Sequence, residues 1–300
     1  MVDEFSSVSN RLAGKGDLFH LCISERTRPS KWFLLGSSEG LTLPVASGES
    51  SSIHEEELGA RIPPTGPVFN EQRICASAKI IIPARNEEKN IGNIIRRLQR
   101  FGFDDILVVD GHSYDATAEC ARKLGARVLP QNGKGKGGAL REAFKQCLDD
   151  DVIVMMDADG SMDPEELPSF VDAVVSGADI VKGSRFLPAG NSEDFSAIRR
   201  VGNRILTAIT NSLFLTRYTD LCYGYMAFNK GALSKLASCL KGNNFEIETE
   251  ICVKAKTLGL RVSEVPSFER SRQSGGSNLH TFRDGLSILR MIITEFLKQD

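Results

Sequence analysis

Asp157 and Asp159, separated by Ala158, directly follow the apolar run Val152–Met156 and precede Gly160. Two carboxylates with this spacing at the end of a buried strand can offer oxygen ligands to a divalent cation that also binds phosphate. The competing reading is a solvated acidic turn that caps a helix starting near Pro164, a task Asp163 could perform by itself. Three further polar stretches follow apolar runs: Pro83-Ala84-Arg85-Asn86-Glu87, the DGHSYDAT segment from Asp110 to Thr117, and Gly183-Ser184-Arg185. Alone, a pair of aspartates is a weak signal; beside three other polar run ends it points to a metal–diphosphate site. The run Gly133-Lys134-Gly135-Lys136-Gly137-Gly138 lacks the GxxxxGK[ST] order, and no apolar strand directly precedes it, so it is not a phosphate loop of that kind. It reads as a flexible loop before a helix, with Lys136 available to a phosphate or a carboxylate.

The elements that must position these groups alternate from Lys79 onward. Lys79–Pro83, Asp105–Asp110, Arg127–Leu129, Val152–Met156 and Ile180–Lys182 read as strands. Between them, Ile91, Ile94, Ile95 and Leu98 fall on one helical face, a helix follows near Asp115–Leu124, and Leu140, Phe144, Cys147 and Leu148 mark the next. This alternation predicts an α/β fold whose parallel sheet is covered by helices on both faces. Ligands of such sheets bind beyond the carboxyl ends of the strands, where the polar stretches lie. Near the end of the chain, Thr281–Leu297 carries Phe282, Leu286, Leu289, Ile293 and Phe296 on one face, with Ile288 and Ile292 widening it. An amphipathic helix packed on the core is the first reading, and a membrane-surface or dimer contact the second. Ile205–Phe214 admits the same two readings, with Arg199, Arg200 and Arg204 near enough to meet lipid headgroups.

The 300 residues hold 37 Lys+Arg against 39 Asp+Glu, a net charge of −2. That balance excludes a protein coating nucleic acid by bulk electrostatics. No stretch approaches the roughly 20 apolar residues needed to cross a bilayer, and no charged-then-apolar leader opens the chain. The expected location is cytoplasmic, with peripheral attachment at the inner face of the membrane as the variant. Cysteines and histidines are scattered without a CxxC, which gives no disulfide framework and no zinc site. Residues 1–76 are serine-rich and net acidic, and end in a stretch holding Pro63, Pro64 and Pro67. They read as an N-terminal extension, partly disordered, whose Trp32–Leu35 cluster is the one part suited to docking. Residues 77–300 read as one domain.

The segments IIPARNEEKNI (81–91), DGHSYDAT (110–117), GKGGALREAF (135–144), MMDADGSMDPEELP (155–168), VKGSRF (181–186), DLCYGYMAF (220–228), FEIETE (245–250) and VPSFERSRQSGGSNL (265–279) occur in an informative order. In order and spacing they resemble the family 2 glycosyltransferases of the GT-A fold, in the branch of polyprenyl- and dolichyl-phosphate sugar synthases. The resemblance implies a Rossmann-like, mostly parallel sheet flanked by helices. It also implies a metal-dependent, inverting hexosyltransferase that uses Mg²⁺ or Mn²⁺. The donor would be a nucleotide diphosphate sugar such as UDP-glucose or GDP-mannose, and the preferred acceptor polyprenyl phosphate, with a small soluble alcohol as the alternative. By the same resemblance Pro83, Arg85, Glu87 and Asp110 line the pocket for base and ribose, and Asp157, Ala158 and Asp159 hold the nucleotide and the metal. Arg185 and Arg272 fall near the phosphates of donor and acceptor, where a guanidinium fork matches phosphate oxygens and meets the charge growing on the departing diphosphate. Asp220 is a candidate base, needed if the acceptor is an alcohol and idle if it is an anionic phosphate; a structural cap is its other reading. Glu248 and Glu250 are candidates for contacting the sugar or positioning a loop. Two rivals fit less well. A sugar-phosphate nucleotidyltransferase wants a glycine-rich basic loop after the first strand, which IIPARNEE does not supply, and a silent nucleotide-sugar binding module has no need of the aspartate pair and both arginines.

Overall fold

The computed structural model describes residues 78–274 and 280–298. The expected extension over 1–76, its Trp32 cluster and the 275–279 end of the last motif lie outside the described residues.

The strands are β1 (Ala78–Ala84), β2 (Ile106–Asp110), β3 (Arg127–Pro130), β4 (Val152–Met155), β5 (Ile180–Ser184), β6 (Asn191–Ser192), β7 (Met226–Asn229), β8 (Val262–Pro266) and β9 (Phe268–Glu269). The helices are α1 (Glu88–Arg100), α2 (Thr117–Lys123), α3 (Lys136–Gln146), α4 (Leu167–Val175), α5 (Ala197–Phe214), α6 (Lys230–Cys239), α7 (Ile247–Thr257) and α8 (Thr281–Leu297). Each of the five expected strands is present, within two residues of its expected ends. Asp163 does cap the turn at Pro164–Glu166, its Oδ1 accepting from the Glu165 N–H at 3.1 Å.

Seven strands form one sheet in the order β3-β2-β1-β4-β7-β5-β8, and β6 pairs with β9 beside it. All neighbours in the large sheet run parallel except β7, which is antiparallel to both β4 and β5. Register brings the functional ends together: Ala84 lies opposite Asp110, and Asp110 opposite Pro130. The interiors of β1, β2 and β4 are apolar on both faces, as burial between two helical layers requires. Ile81, Leu107, Val109 and Ile153 pack under α3, α5, α6, α7 and α8. Ile80, Ile82, Ile106, Val108 and Val154 pack under α1, α2 and α4.

Helix α8 packs on the core through buried Ile288 and Ile292, with Leu289 and Phe296 of the expected face half-buried against it, whereas Phe282 is 77% exposed and Leu286 67%. On α5, Leu206 and Phe214 turn inward, and Ile198, Val201 and Ile205 turn outward. Among the described residues, no helix is long and apolar enough to cross a membrane.

Candidate active site

The first two polar motifs are sewn to each other at the carboxyl edge. Asn86 adopts a left-handed φ of 58° and its N–H donates to Ser113 Oγ at 2.9 Å. The Glu87 N–H donates to Thr117 Oγ1 at 2.8 Å, and the Tyr114 N–H returns a bond to Asn86 Oδ1 at 3.1 Å. These bonds fix the chain just past β1, so that Pro83, Arg85 and Glu87 line a cavity of about 900 Å³. Asp110 stands behind that wall rather than in it, between the lining residues Val109 and Gly111. Its Oδ2 accepts from the Ser113 N–H at 3.3 Å, and its Oδ1 is buried without a partner.

Asp157, Ala158 and Asp159 form the cavity floor beyond β4. Each aspartate meets one cation. Lys136 Nζ lies 2.5 Å from Asp157 Oδ1 and 2.7 Å from Glu248 Oε1. Burial works against the lysine's charge, but the two carboxylates outweigh it and keep it protonated. Burial pushes the Glu248 carboxyl up, against the pull of Lys136, and its Oε2 has no partner. Two glycines let Lys136 arrive here. Gly135 has φ +80°, and a Cβ on it would lie 2.2 Å from the Asn243 carbonyl oxygen; one on Gly137 would lie 2.5 Å from that of Gly242. The 242–244 loop is held against them by Glu250, which accepts from the Gly242 N–H at 2.7 Å.

Arg272 pairs with Asp159 at 2.8 Å and reaches Glu87 at 3.5 Å. Burial raises the Glu87 carboxyl, only partly offset by Asn90 and Arg272. The segment that carries Arg272 lies along the aspartate turn: the Arg270 N–H donates to the Ser161 carbonyl at 2.8 Å, and the Arg270 guanidinium pairs with Asp163 at 2.6 Å.

Arg185 enters from the end of β5 and is almost wholly buried. Its Nε is 2.7 Å from Asp220 Oδ2, its Nη2 3.0 Å from Asp220 Oδ1, and its Nη1 3.0 Å from Glu269 Oε2. The guanidinium carbon lies 3.9 Å from the Phe195 ring centre and 4.4 Å from that of Tyr223. Asp220 is fully buried, is absent from the cavity wall and also accepts from Asn203 Nδ2 at 2.9 Å. Burial pushes its carboxyl up, but the charge and hydrogen bonds of Arg185, together with the charge of Lys182, outweigh it and hold the carboxyl below the usual range. Sequence reasoning did not single out Asn203, Glu269, Phe195 or Tyr223. The position of Glu269 three residues before Arg272, inside the last quoted motif, was the available signal.

Among the described residues, no cluster of three or more His, Cys, Asp or Glu side chains is arranged to hold a metal ion. The aspartate pair nevertheless fits a cation shared with a ligand, since Mg²⁺-type ions commonly take one or two protein carboxylates and complete their shell with phosphate oxygens and water.

The description "glycosyl transferase family 2" matches residues 79–237. Glycosyltransferase AglJ of Haloferax volcanii is 33% identical over 207 residues, covering 69% of this chain and 67% of that one. The dolichyl-phosphate hexose transferase of the same organism is 30% identical over 222 residues, covering 73% and 94%. Glucosyl-3-phosphoglycerate synthase from Mycobacterium tuberculosis, solved with Mn²⁺, UDP and glucosyl-3-phosphoglycerate, superposes with a TM-score of 0.62 at 20% identity over 79% of this chain and 87% of that one. The sheet is thus of the GT-A kind, its carboxyl edge carries the motifs of a sugar-transferring enzyme, and the chain belongs to glycosyltransferase family 2.

Proposed function

We propose that this enzyme transfers a hexose, glucose or mannose, from a nucleotide diphosphate sugar to the phosphate of a polyprenyl lipid, with inversion and with Mg²⁺ or Mn²⁺. Pro83, Arg85 and Glu87 at the wall and Asp110 behind it receive the base and ribose, and Asp157, Ala158 and Asp159 the diphosphate side of the donor. The metal, held by Asp159 with Asp157 beside it, would neutralise charge on the diphosphate. An acceptor phosphate oxygen attacks the anomeric carbon, the bond from that carbon to the donor phosphate breaks, and its electron pair leaves on the nucleoside diphosphate. Arg272 and Arg185 stabilise the negative charge on either side of that exchange. Glu248, with a free buried oxygen beside Lys136, is placed to accept from a sugar hydroxyl.

The observation that supports a phosphate rather than an alcohol acceptor is the state of Asp220. A base must reach the proton that it removes, and this carboxylate is sealed off with both oxygens bonded to Arg185 and Asn203. An acceptor that arrives already anionic needs no base, and Asp220 then serves to hold Arg185. The dolichyl-phosphate relative supports the same reading. The outer faces of α5 and α8, where exposed Ile198, Val201, Ile205, Phe282 and Leu286 lie among Arg200, Arg204, Arg283 and Arg290, supply contact with an anionic membrane surface.

A panel of labelled nucleotide sugars crossed with undecaprenyl phosphate and with a membrane-free acceptor extract tests the reading. Labelled lipid is expected, and label only in soluble product overturns it. In the same assay Asp159→Ala abolishes metal-dependent turnover; full activity in that variant removes the metal from the mechanism.

A further inference from the structure

The cavity does not end at the donor groups. Its far arm is walled by one stripe of α5, residues Arg199, Gly202, Asn203 and Leu206, and one stripe of α8, residues Thr281, Asp284, Gly285 and Ile288. The spacing in both is that of a single helical face. At the N-terminal ends of the two helices a second hollow, of about 540 Å³, includes Thr281 in its wall together with Ile198 and Phe282. Apolar side chains appear among polar ones along this route. The inner end has the Arg185 and Arg272 guanidiniums; the arm has Leu206 and Ile288 among Arg199, Asn203, Thr281 and Asp284; the outlet has Ile198, 60% exposed, and Phe282 among Ser196, His280 and Arg283.

Two positions in the arm have no side chain at all. A Cβ built on Gly202 or on Gly285 meets no atom of the described residues within 4 Å. Glycine inside a helix is unfavourable relative to almost any residue but proline, and neither of these two has the positive φ that would call for it. Packing does not require them either, in contrast to Gly135 and Gly137, where backbone lies against the missing side chain. Among the described residues, nothing fills the space that they border.

We propose that Gly202 and Gly285 set the bore of an acceptor channel that passes the first isoprene units of a lipid phosphate, from the arginines at the reacting centre out over the apolar faces of α5 and α8. This rests on the lipid-phosphate reading above and adds to it the path of the chain and the two residues that select for it. The cationic inner end matches the phosphate head, and Leu206, Ile288, Ile198 and Phe282 offer the tail apolar contacts along the way. A small soluble phosphate has no use for such an outlet.

The test compares wild type, Gly285→Leu and Gly202→Leu in transfer to undecaprenyl phosphate. Helix propensity favours leucine over glycine, so the thermal midpoint is expected to be equal or higher. Nucleoside diphosphate binding with Mn²⁺, measured by calorimetry, is expected to be the same, because the donor half of the cavity lies elsewhere. Transfer to undecaprenyl phosphate is expected to lose about tenfold or more in kcat/KM, carried mainly by KM, as a filled subsite does. Gly285→Ala, the smaller change, should fall between. If a leucine variant that retains fold and donor binding glycosylates undecaprenyl phosphate as well as wild type does, the channel is overturned while the acceptor reading stands. If wild type glycosylates no lipid phosphate, the acceptor reading fails and the channel with it. Should one leucine variant fail to fold, the other carries the comparison.

Discussion

Arg185 is gripped from three sides, by the Asp220 fork, by Glu269 and by the rings of Phe195 and Tyr223. A guanidinium so fixed meets developing charge with little reorganisation, which is where electrostatic stabilisation is largest. Arg185→Lys keeps the charge and loses the fork; kcat is expected to fall about a hundredfold, read by steady-state assay. Asp220→Asn breaks a buried pair and is expected to cost about 3 kcal/mol in denaturant unfolding. Because its folded carboxyl is held low, the stability that Asp220 adds is fully present above the ordinary aspartate range and is lost as pH falls through the lower folded value, so the variant should approach wild type in strong acid. Its residual activity should keep the wild-type pH profile, since the carboxylate positions Arg185 instead of taking a proton. Loss of the acidic limb from that profile would return Asp220 to the role of base. Asp157, Asp159 and Arg185 could be singled out as candidates because each follows an apolar run, and Arg272 only through its place in the last motif of the resemblance. Asn203 and Glu269 were not, because they act across 17 and 84 residues of chain on groups whose direction only the fold sets.

At the scale of elements, the five leading strands were legible from their β-branched runs and the alternation with helices. Strand β7 was not: MAFN is too short to show a period, and it follows two tyrosines and a glycine that carry no strand signal. On α8 the expected face coincides only in part with the inward one, Leu289 and Phe296 packing on the core and Phe282 and Leu286 turning out, for a related reason. The apolar residues span more of the helix than the core covers, so pattern alone does not choose between the Ile288–Ile292 side and the Phe282–Leu286 side. The glycine-rich segment before α3 reads as flexible in sequence, but its glycines admit the 242–244 loop. A substitution normally favourable in a helix therefore reverses sign. Gly137→Ala would place its Cβ 2.5 Å from the Gly242 oxygen and is expected to destabilise by about 1–3 kcal/mol, measured as a lowered denaturant midpoint. The same substitution would also displace Lys136 from Asp157, and donor affinity should fall with it.

For the whole molecule, the near-neutral charge conceals a division of labour. The cations that matter are either buried against carboxylates in the site or collected with apolar side chains on the outer faces of α5 and α8. The protein is expected to sediment with vesicles containing anionic lipid and to be released as ionic strength rises, with neutral vesicles retaining much less. Equal retention on both, or a salt-stable dimer in place of binding, would reassign this face to a second copy of the chain. The antiparallel strand has another consequence, for how the chain is made. Strands β1 to β4 can pair as soon as residue 155 has emerged, but β5 has only β7 and β8 for neighbours. During synthesis β5, buried along its whole length in the folded protein, is therefore without a strand partner until residue 229 is available, and the nascent chain is most prone to aggregate in that interval.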